Sequence, residues 1–341
     1  MIRIATLNLL HFAAPPIWWY RRDPDAEAPS QFSEAAWRAK CAWLRETLAR
    51  TDADVIGFQE VVSVDALRAL VVEAGYPHFF AAAEPRFVDE PEAVRAQQGA
   101  IYDRPVQAIA SRYPMQAEAL SPPPNYAATL GLPPTWAHRR PPVKAVVELP
   151  GFGQTLVYCC HFKSHGADDN RLAPEDETDS VALAIDALTA RSRGHCRAAA
   201  QRAAEASAMA AEAAMQLSER PERPLIVLGD LNDEPHSVPL RALLPEPPGS
   251  LPDPVRAAME PLRLFDAATL LPVPEGRDTR APTHRWGAEG SVLDYICVST
   301  NLRSGASGTV VAHRVDNAHF RRAVPEATSD HAVVSVDLEA P

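Results

Sequence analysis

Polar side chains that can bind a metal ion or transfer a proton lie at or near the ends of the apolar segments of this sequence. Two of them, Asp230 and Asn232, stand together in Leu-Ile-Val-Leu-Gly-Asp-Leu-Asn-Asp. The whole set is Asn8, Glu60, His161, Asp230, Asn232, Asp294, Asp330 and His331. Carboxylate and amide oxygens are ligands that Mg²⁺ prefers, and histidines move protons near neutral pH. The set therefore predicts a Mg²⁺ site that hydrolyses a phosphate ester.

Each of these residues also has an ordinary structural explanation when it is considered alone. Asn8 is a common turn former, Glu60 suits the start of a helix, and Asp294 suits a structural ion pair. Together they are poorly explained in this way, because nearly all of them stand at the end of an apolar segment. Their shared position favours a catalytic role for these residues over a purely structural one.

Short apolar segments rich in β-branched residues predict the strands that must position these side chains. They are residues 2–10, 55–58, 106–110, 143–149, 155–162, 225–228, 292–298 and 332–338. Helical spacing from Trp37 to Leu48 and from Leu67 to Ala74 predicts helices between strands. The chain is therefore predicted to be α/β. The carboxyl ends of strands in such proteins meet in one crevice, where the polar side chains would converge.

Two segments are predicted to be insertions in a single domain of residues 1–341. Residues 122–142 contain seven prolines, which predicts an irregular surface loop. Residues 163–217 begin with an acidic run and continue into an alanine-rich stretch, predicted as one or two long helices interrupted near Gly194.

The composition limits the partners of the protein. Lys and Arg total 33 against 44 Asp and Glu, a formal net charge of −11, which argues against a protein that coats DNA. A local pocket for a few phosphates stays compatible, since a bound divalent cation inverts the sign of the field there. No segment has the roughly 18 apolar residues that cross a bilayer, and no leader precedes the first strand. We expect a cytoplasmic monomer without membrane insertion.

The order of the motifs resembles the endonuclease/exonuclease/phosphatase superfamily, which has the DNase I-like fold. The matching motifs are Thr-Leu-Asn8, Phe-Gln-Glu60, His161-Phe-Lys-Ser, Gly-Asp230-Leu-Asn232-Asp233-Glu-Pro, Leu-Asp294-Tyr-Ile and Ser-Asp330-His331. They extend the resemblance over residues 2–338. The resemblance implies a four-layer α/β/β/α sandwich, in which helices flank two packed mixed β-sheets and the site lies at one edge.

The resemblance also implies roles for the metal-binding and water-activating residues. Glu60 would hold Mg²⁺, or Mn²⁺ as the alternative ion, with Asp330 contributing a ligand or a water contact and Asn8 orienting Glu60. Asp230 would orient and deprotonate the attacking water. Asn232 would donate its amide to a nonbridging phosphate oxygen.

The remaining catalytic roles go to the histidines. His331, paired with Asp294, would stabilise charge on the phosphorus, and His161 would contact the scissile phosphate or protonate the leaving group. His284 is interpreted as a structural histidine, with a side chain that reaches the site as the alternative. The residues predicted to bind substrate are Lys163, Asp233, Trp136 and Arg139. Lys163 has a solvated lysine as its alternative interpretation. Asp233 has two alternatives, a third metal ligand and the N-cap of the turn that runs to Pro235.

The predicted function is nuclease-type hydrolysis of phosphodiester bonds, with nucleic acid or a short oligonucleotide as substrate. Aromatic and basic residues at 18–22, with Trp136, Arg139 and Arg140, offer stacking faces and cations for a nucleotide. The alternative interpretation of this patch is a tryptophan-anchored loop. The alternative activities are a phosphatase and a phospholipase-C-like phosphodiesterase, and the alternative of another class is a binding module without catalysis.

Overall fold

The computed structural model describes residues 1–19, 33–167, 180–272, 280–303, 305–321 and 327–341. The strands are β1 (Ile2–Phe12), β2 (Ile17–Trp19), β3 (Val55–Val61), β4 (His78–Ala81), β5 (Arg86–Phe87), β6 (Ala100–Arg104), β7 (Val106–Ser111), β8 (Met115–Ala119), β9 (Val143–Leu149), β10 (Gly153–His161), β11 (Leu225–Asp230), β12 (Leu264–Asp266), β13 (His284–Trp286), β14 (Glu289–Ser291), β15 (Asp294–Ser299), β16 (Thr309–Asp316) and β17 (Val333–Glu339). The α-helices are α1 (Glu34–Thr51), α2 (Val64–Glu73), α3 (Glu92–Gln98), α4 (Tyr126–Thr129), α5 (Ser180–Glu219), α6 (Val238–Leu243), α7 (Asp253–Met259) and α8 (Thr300–Arg303).

Two six-stranded sheets form the centre of the molecule. The first has the order β16-β17-β1-β3-β7-β4, and the second has the order β12-β15-β11-β10-β9-β8. Both sheets are mixed, since β1 runs parallel to β3 but antiparallel to β17, and β10 runs parallel to β11 but antiparallel to β9. Their facing sides form one apolar core that includes Ile4, Val55, Val157, Ile226 and Ile296.

Helices cover the outer faces of both sheets. Leu44 of α1 and Leu67 of α2 pack on the first sheet around Phe58, and Met209 of α5 packs on the second sheet around Tyr158. The expected four-layer sandwich is therefore confirmed. Because its central strands are covered on both faces, they are apolar along their whole length rather than in alternation.

Two glycines allow the close contacts of the central strands. A Cβ atom on Gly57 would lie 2.3 Å from Cδ1 of Leu228, so the two sheets approach each other closely there. Gly229 has φ +140°, and a Cβ atom on it would lie 1.9 Å from the carbonyl oxygen of Cys160. Both the conformation and the space at residue 229 require glycine, one residue before Asp230.

The predicted insertions differ in structure. In residues 122–142, the described regular structure is the short helix α4. Helix α5 runs without interruption through Gly194, whereas the acidic residues 168–179 lie outside the described residues. Even α5, at 40 residues, lacks the apolar stretch that crossing a bilayer requires, as do the other helices of the described ranges.

Candidate active site

The predicted site residues lie where strands of the two sheets end beside each other. His161 ends β10 and pairs with Asp230, which ends β11, and Asp230 in turn pairs with Asp294, the first residue of β15. Asn8 lies in β1 of the facing sheet, and its amide nitrogen is 2.9 Å from Oδ2 of Asp230. The two sheets thus meet at Asn8 and Asp230, at one edge of the sandwich.

Glu60 is held against Asn8 by an irregular stretch of backbone. The pairing of β1 with β3 is interrupted after Asn8 and resumes at Phe12. Between these positions Leu10 and His11 have φ angles of 45° and 54°, and Glu60 across from them has 60°. Such left-handed conformations are costly for non-glycine residues and concentrate at functional sites. They turn the Glu60 carboxylate toward Asn8, whose amide nitrogen lies 3.3 Å from Oε1.

His11 is a site residue that the sequence analysis missed. Its backbone N–H donates to Oε2 of Glu60 at 3.0 Å, and its Nδ1 lies 3.2 Å from the same oxygen. Burial works to raise the pKa of Glu60, but the charges of His11, Arg140 and His331 outweigh burial and lower it. Glu60 is therefore an ionised carboxylate. The only sequence signal for His11 was its position three residues after Asn8.

Asp230 is a buried carboxylate surrounded by polar groups. Its Oδ1 accepts a hydrogen bond from the backbone N–H of Asn232 at 2.9 Å, and its Oδ2 lies 3.4 Å from Nε2 of His161. Burial raises the pKa of Asp230 and lowers the pKa of His161 well below its usual value. The side-chain amide of Asn232 donates to the carbonyl oxygen of Phe162 at 3.1 Å, which fixes its orientation beside Asp230.

His331 and Asp294 form a buried pair. Nδ1 of His331 lies 2.9 Å from Oδ2 of Asp294, whose side chain is inaccessible to solvent. Burial alone would lower the pKa of His331, but the carboxylates of Asp294 and Asp230 outweigh it and raise that pKa well above its usual value. Nε2 of His331 lies 3.8 Å from Oδ2 of Asp230 and 3.9 Å from Oδ1 of Asp330. The imidazolium is thus directed into the site.

Asp330 lies between His331 and His284. Nε2 of His284 is 3.6 Å from Oδ2 of Asp330, and its Nδ1 lies 2.9 Å from Oγ of Ser291. Burial works to raise the pKa of Asp330, but the contacts with His284 and His331 outweigh it and hold the pKa at about 2. His284, interpreted from the sequence as structural, therefore contacts a predicted metal ligand.

The donor set of this site fits a divalent cation. Oδ1 of Asp330 and Oδ1 of Asp294 are buried and have no hydrogen-bond partner among the described residues. Ligand atoms of Asp230 and Asp294 lie within 4.8 Å of each other, as do those of His284 and Asp330. Carboxylate oxygens are ligands that hard divalent cations prefer.

Arg140 is a second site residue outside the predicted catalytic set. Its Nη1 donates to the carbonyl oxygen of Phe162 at 3.4 Å, the oxygen that also accepts the Asn232 amide. Its charge lowers the pKa of both Glu60 and His161. The sequence placed Arg140 in an aromatic and basic loop patch, without a signal that it reaches the strand ends.

The residues predicted to bind substrate have their described contacts in loops and on α5. Nζ of Lys163 donates to the carbonyl oxygen of Gly166 at 2.9 Å, and Oδ2 of Asp233 accepts from Nε of Arg202 at 2.7 Å. Nε1 of Trp136 donates to Oε1 of Gln201 at 2.8 Å, and the backbone N–H of Arg139 donates to Oε1 of Glu205 at 2.6 Å. The structure thus does not bring these four side chains into the cluster around Asp230. Residues 20–22 of the predicted patch lie outside the described residues.

The fold and the site together identify the class of protein, which is a family of hydrolases. The sequence model of the Endonuclease/Exonuclease/phosphatase family matches residues 5–331, so the chain belongs to this family. Members of this superfamily are phosphoesterases, and the chain is a hydrolase of that superfamily. No curated protein matches the sequence significantly.

Solved structures of low sequence identity share the fold. A Beutenbergia cavernae endonuclease/exonuclease/phosphatase is 18% identical, with a TM-score of 0.51 over 99% of this chain and 71% of that one. The human Nocturnin catalytic domain, solved with a bound sulfate anion, is 16% identical, with a TM-score of 0.54 over 100% and 94%. TDP2 of D. rerio, complexed with a single strand DNA product, is 12% identical, with a TM-score of 0.50 over 99% of each chain. These structures establish the DNase I-like fold and carry no residue roles.

Proposed function

We propose that this protein hydrolyses phosphodiester bonds of nucleic acid or short oligonucleotides by in-line attack of water, in a Mg²⁺-dependent reaction. Mn²⁺ is the alternative ion. The observation that carries the proposal is the buried Asp230 carboxylate, which lies 2.9 Å from Asn8, 3.4 Å from His161 and 3.8 Å from His331. A carboxylate whose pKa is raised toward neutrality and that faces imidazoles is suited to proton transfer.

Glu60 and Asp330 would hold the cation. Both carboxyl groups have a lowered pKa and are ionised at neutral pH, as cation binding requires. Asn8 orients Glu60 through its amide nitrogen, while its Oδ1 accepts the Leu10 backbone N–H at 3.0 Å. When bound, the cation supplies charge neutralisation at the phosphate and at the leaving oxygen.

Asp230 orients the attacking water and accepts its proton. The Asn8 and Asn232 hydrogen bonds fix both oxygens of the carboxylate, so its geometry does not have to reorganise during the reaction. One N–H of the Asn232 amide is used by Phe162, and the second is available for a nonbridging phosphate oxygen.

The histidines stabilise the charge that develops on the phosphate. Asp294 keeps His331 protonated, so its Nε2–H donates to a phosphate oxygen throughout the reaction. His161 has a strongly lowered pKa and is neutral, which favours a hydrogen bond to the scissile phosphate over protonation of the leaving group. Arg140 adds a positive charge next to the same phosphate.

Two further properties belong to this proposal. The chain forms a single domain over residues 1–341, since the site takes residues from both sheets and the family match spans 5–331. A single-stranded substrate is favoured by the net charge of −11, which repels a long duplex. The DNA product bound to D. rerio TDP2 is compatible with such a substrate.

A panel of phosphate esters tests the reaction class. Single-stranded and duplex oligonucleotides, bis(p-nitrophenyl) phosphate and p-nitrophenyl phosphate would be incubated with the enzyme in Mg²⁺, in Mn²⁺ and in EDTA. The proposal predicts metal-dependent cleavage of the single strand and of the diester. Cleavage of the monoester alone would replace the nuclease assignment by that of a phosphatase.

A further inference from the structure

An arginine cluster, formed by Arg86 and Arg104, lies beside the site on the small three-stranded sheet β2-β6-β5. Arg86 of β5 and Arg104 of β6 are directly opposite each other in this sheet, an arrangement that destabilises strand pairs. Arg86 forms an ion pair with Asp103. In contrast, Nε of Arg104 is buried and has no hydrogen-bond partner among the described residues. Strand pairing therefore gives no structural reason for an arginine at position 104.

The first residues of β7 connect this cluster to the site. Strand β6 leads into β7, whose first residue, Val106, pairs with Val61, next to Glu60. The side chain of the following residue, Gln107, lies against the backbone of the segment that begins with Arg140. Arg104 is thus three residues from a side chain that touches the Arg140 segment.

Arg140 connects the cluster to the residues around the scissile phosphate. Its Nη1 and the Asn232 amide share the carbonyl oxygen of Phe162, at 3.4 Å and 3.1 Å. Nε of Arg140 is also buried and without a hydrogen-bond partner among the described residues. A continuous path of neighbouring residues therefore joins Asn232, Arg140 and Arg104.

Among the described residues, the charges of this cluster are unbalanced. Burial lowers the pKa of Arg104, and the positive charges of Arg86, Arg139 and Arg140 lower it further, while Asp103 opposes them. The acidic surplus of the chain does not neutralise the cluster from afar, because charges more than about 8 Å apart are largely screened at physiological salt. The cluster is a local positive region in a protein of net charge −11.

We propose that Arg104 forms a subsite for a second, non-scissile phosphate of the substrate, next to the phosphate that Asn232 and Arg140 face. This inference rests on the proposed function and narrows its substrate class. A phosphate presents oxygens that accept guanidinium N–H bonds and balances the surplus charge. The preferred substrate carries at least two phosphates, the second being a flanking diester or a terminal monoester.

Three thymidine substrates distinguish the contribution of the scissile phosphate from that of the second phosphate. TpT contains the scissile diester alone, TpTpT adds a flanking diester, and pTpT adds a terminal monoester. The kcat/KM values would be measured in Mg²⁺ for wild type and Arg104→Gln. The matched control is Arg220→Gln, because Arg220 is an exposed arginine beside Glu222, near the opposite end of β11.

The proposal predicts that Arg104→Gln reduces kcat/KM about tenfold on a substrate with the second phosphate, as expected for a lost charge-assisted hydrogen bond. Hydrolysis of TpT stays at the wild-type level. The slope of log kcat/KM on TpTpT against log salt becomes shallower by about 0.7 for each lost phosphate contact on a single strand. Preferential loss on TpTpT or on pTpT identifies the flanking diester or the terminal phosphate, respectively, as the ligand.

Equal losses on TpT and the longer substrates would overturn the subsite, as would no loss on any of them. If wild type hydrolyses none of the three, the proposed function has failed by itself. The subsite is then tested by fluorescence anisotropy of a labelled oligothymidylate in EDTA. Binding about tenfold weaker in Arg104→Gln but unchanged in Arg220→Gln supports the subsite. Equal binding by wild type and Arg104→Gln overturns it.

Discussion

Removal of the Arg202 guanidinium should destabilise the protein strongly, because this side chain ties α5 to two loops of the site. Arg202 is only 6% exposed. Its Nε donates to Oδ2 of Asp233 at 2.7 Å, and its Nη1 donates to the carbonyl oxygens of Lys163 and Ser164 at 2.9 Å and 3.3 Å. These loops directly follow His161 and Asn232, so their displacement also moves catalytic groups.

The expected loss in the free energy of unfolding follows from the polar groups that lose their partner in Arg202→Met. Removing one partner of a buried ion pair costs about 3 to 5 kcal/mol. Asp233 is 14% exposed and keeps part of its hydration, so the lower end of this range applies. We expect the free energy of unfolding to fall by about 3 kcal/mol. Arg202→Lys keeps the charge without the fork of donors, and should lose about half as much.

Urea denaturation of a double-mutant cycle measures this interaction. The cycle contains Arg202→Met, Asp233→Asn and the double variant, and Arg191→Met on an exposed part of α5 is the matched control. The expected coupling energy between residues 202 and 233 is about 2 kcal/mol. A coupling below about 0.5 kcal/mol, with Arg202→Met as stable as the control, would refute the reasoning.

Other substitutions test the packing, an ion pair and the catalytic dyad. Gly229→Ala, whose Cβ would collide with a backbone carbonyl, should cost more than about 3 kcal/mol in thermal or urea unfolding, whereas Gly75→Ala, in open space at φ +92°, should cost about 1 kcal/mol. Equal costs would contradict the packing argument. Despite partial burial, the guanidinium groups of Arg3 and Arg314 lower the pKa of Asp337 below its value in the unfolded chain. These ion pairs therefore stabilise the fold above the unfolded-state pKa, and their stabilisation is lost as the pH falls through the folded-state pKa. Asp337→Asn should therefore lower stability more at pH 7 than at about pH 2, and an equal loss at both would count against the ion pair. Asp294→Asn should reduce kcat at least about a hundredfold with little change in KM, because His331 loses the carboxylate that keeps it protonated, and unchanged kcat would remove the dyad from the mechanism.

The sequence predicted the central strands and the polar residues at their ends because both leave local signals. Long apolar segments mark buried strands, and Asp230 with Asn232 stands in one contiguous motif. The short strands β2, β5, β12, β13 and β14 were missed because two or three residues are too few to show a period. Gly194 favoured an interruption of α5, but the helix continues through it. Tertiary packing overrides the weak intrinsic preference of one residue.

The residues missed in the site act through tertiary geometry. His11 reaches Glu60 because the backbone at residues 10 and 11 is left-handed, which no local sequence pattern predicts. His284 reaches Asp330 because β13 begins with a bridge to His331, 47 residues later in the chain. Lys163 was predicted from the sequence to bind substrate. In the structure its ammonium group donates to carbonyl oxygens of its own loop.

The most direct test of the central claim is the rate at which Asp230→Asn hydrolyses a single-stranded oligonucleotide in Mg²⁺. The matched control is Asp253→Asn, an exposed aspartate at the start of α7. We expect kcat of Asp230→Asn to fall at least about a hundredfold while the control and the folded structure by circular dichroism stay unchanged. Wild-type turnover by Asp230→Asn would contradict the role of this carboxylate as the group that activates water.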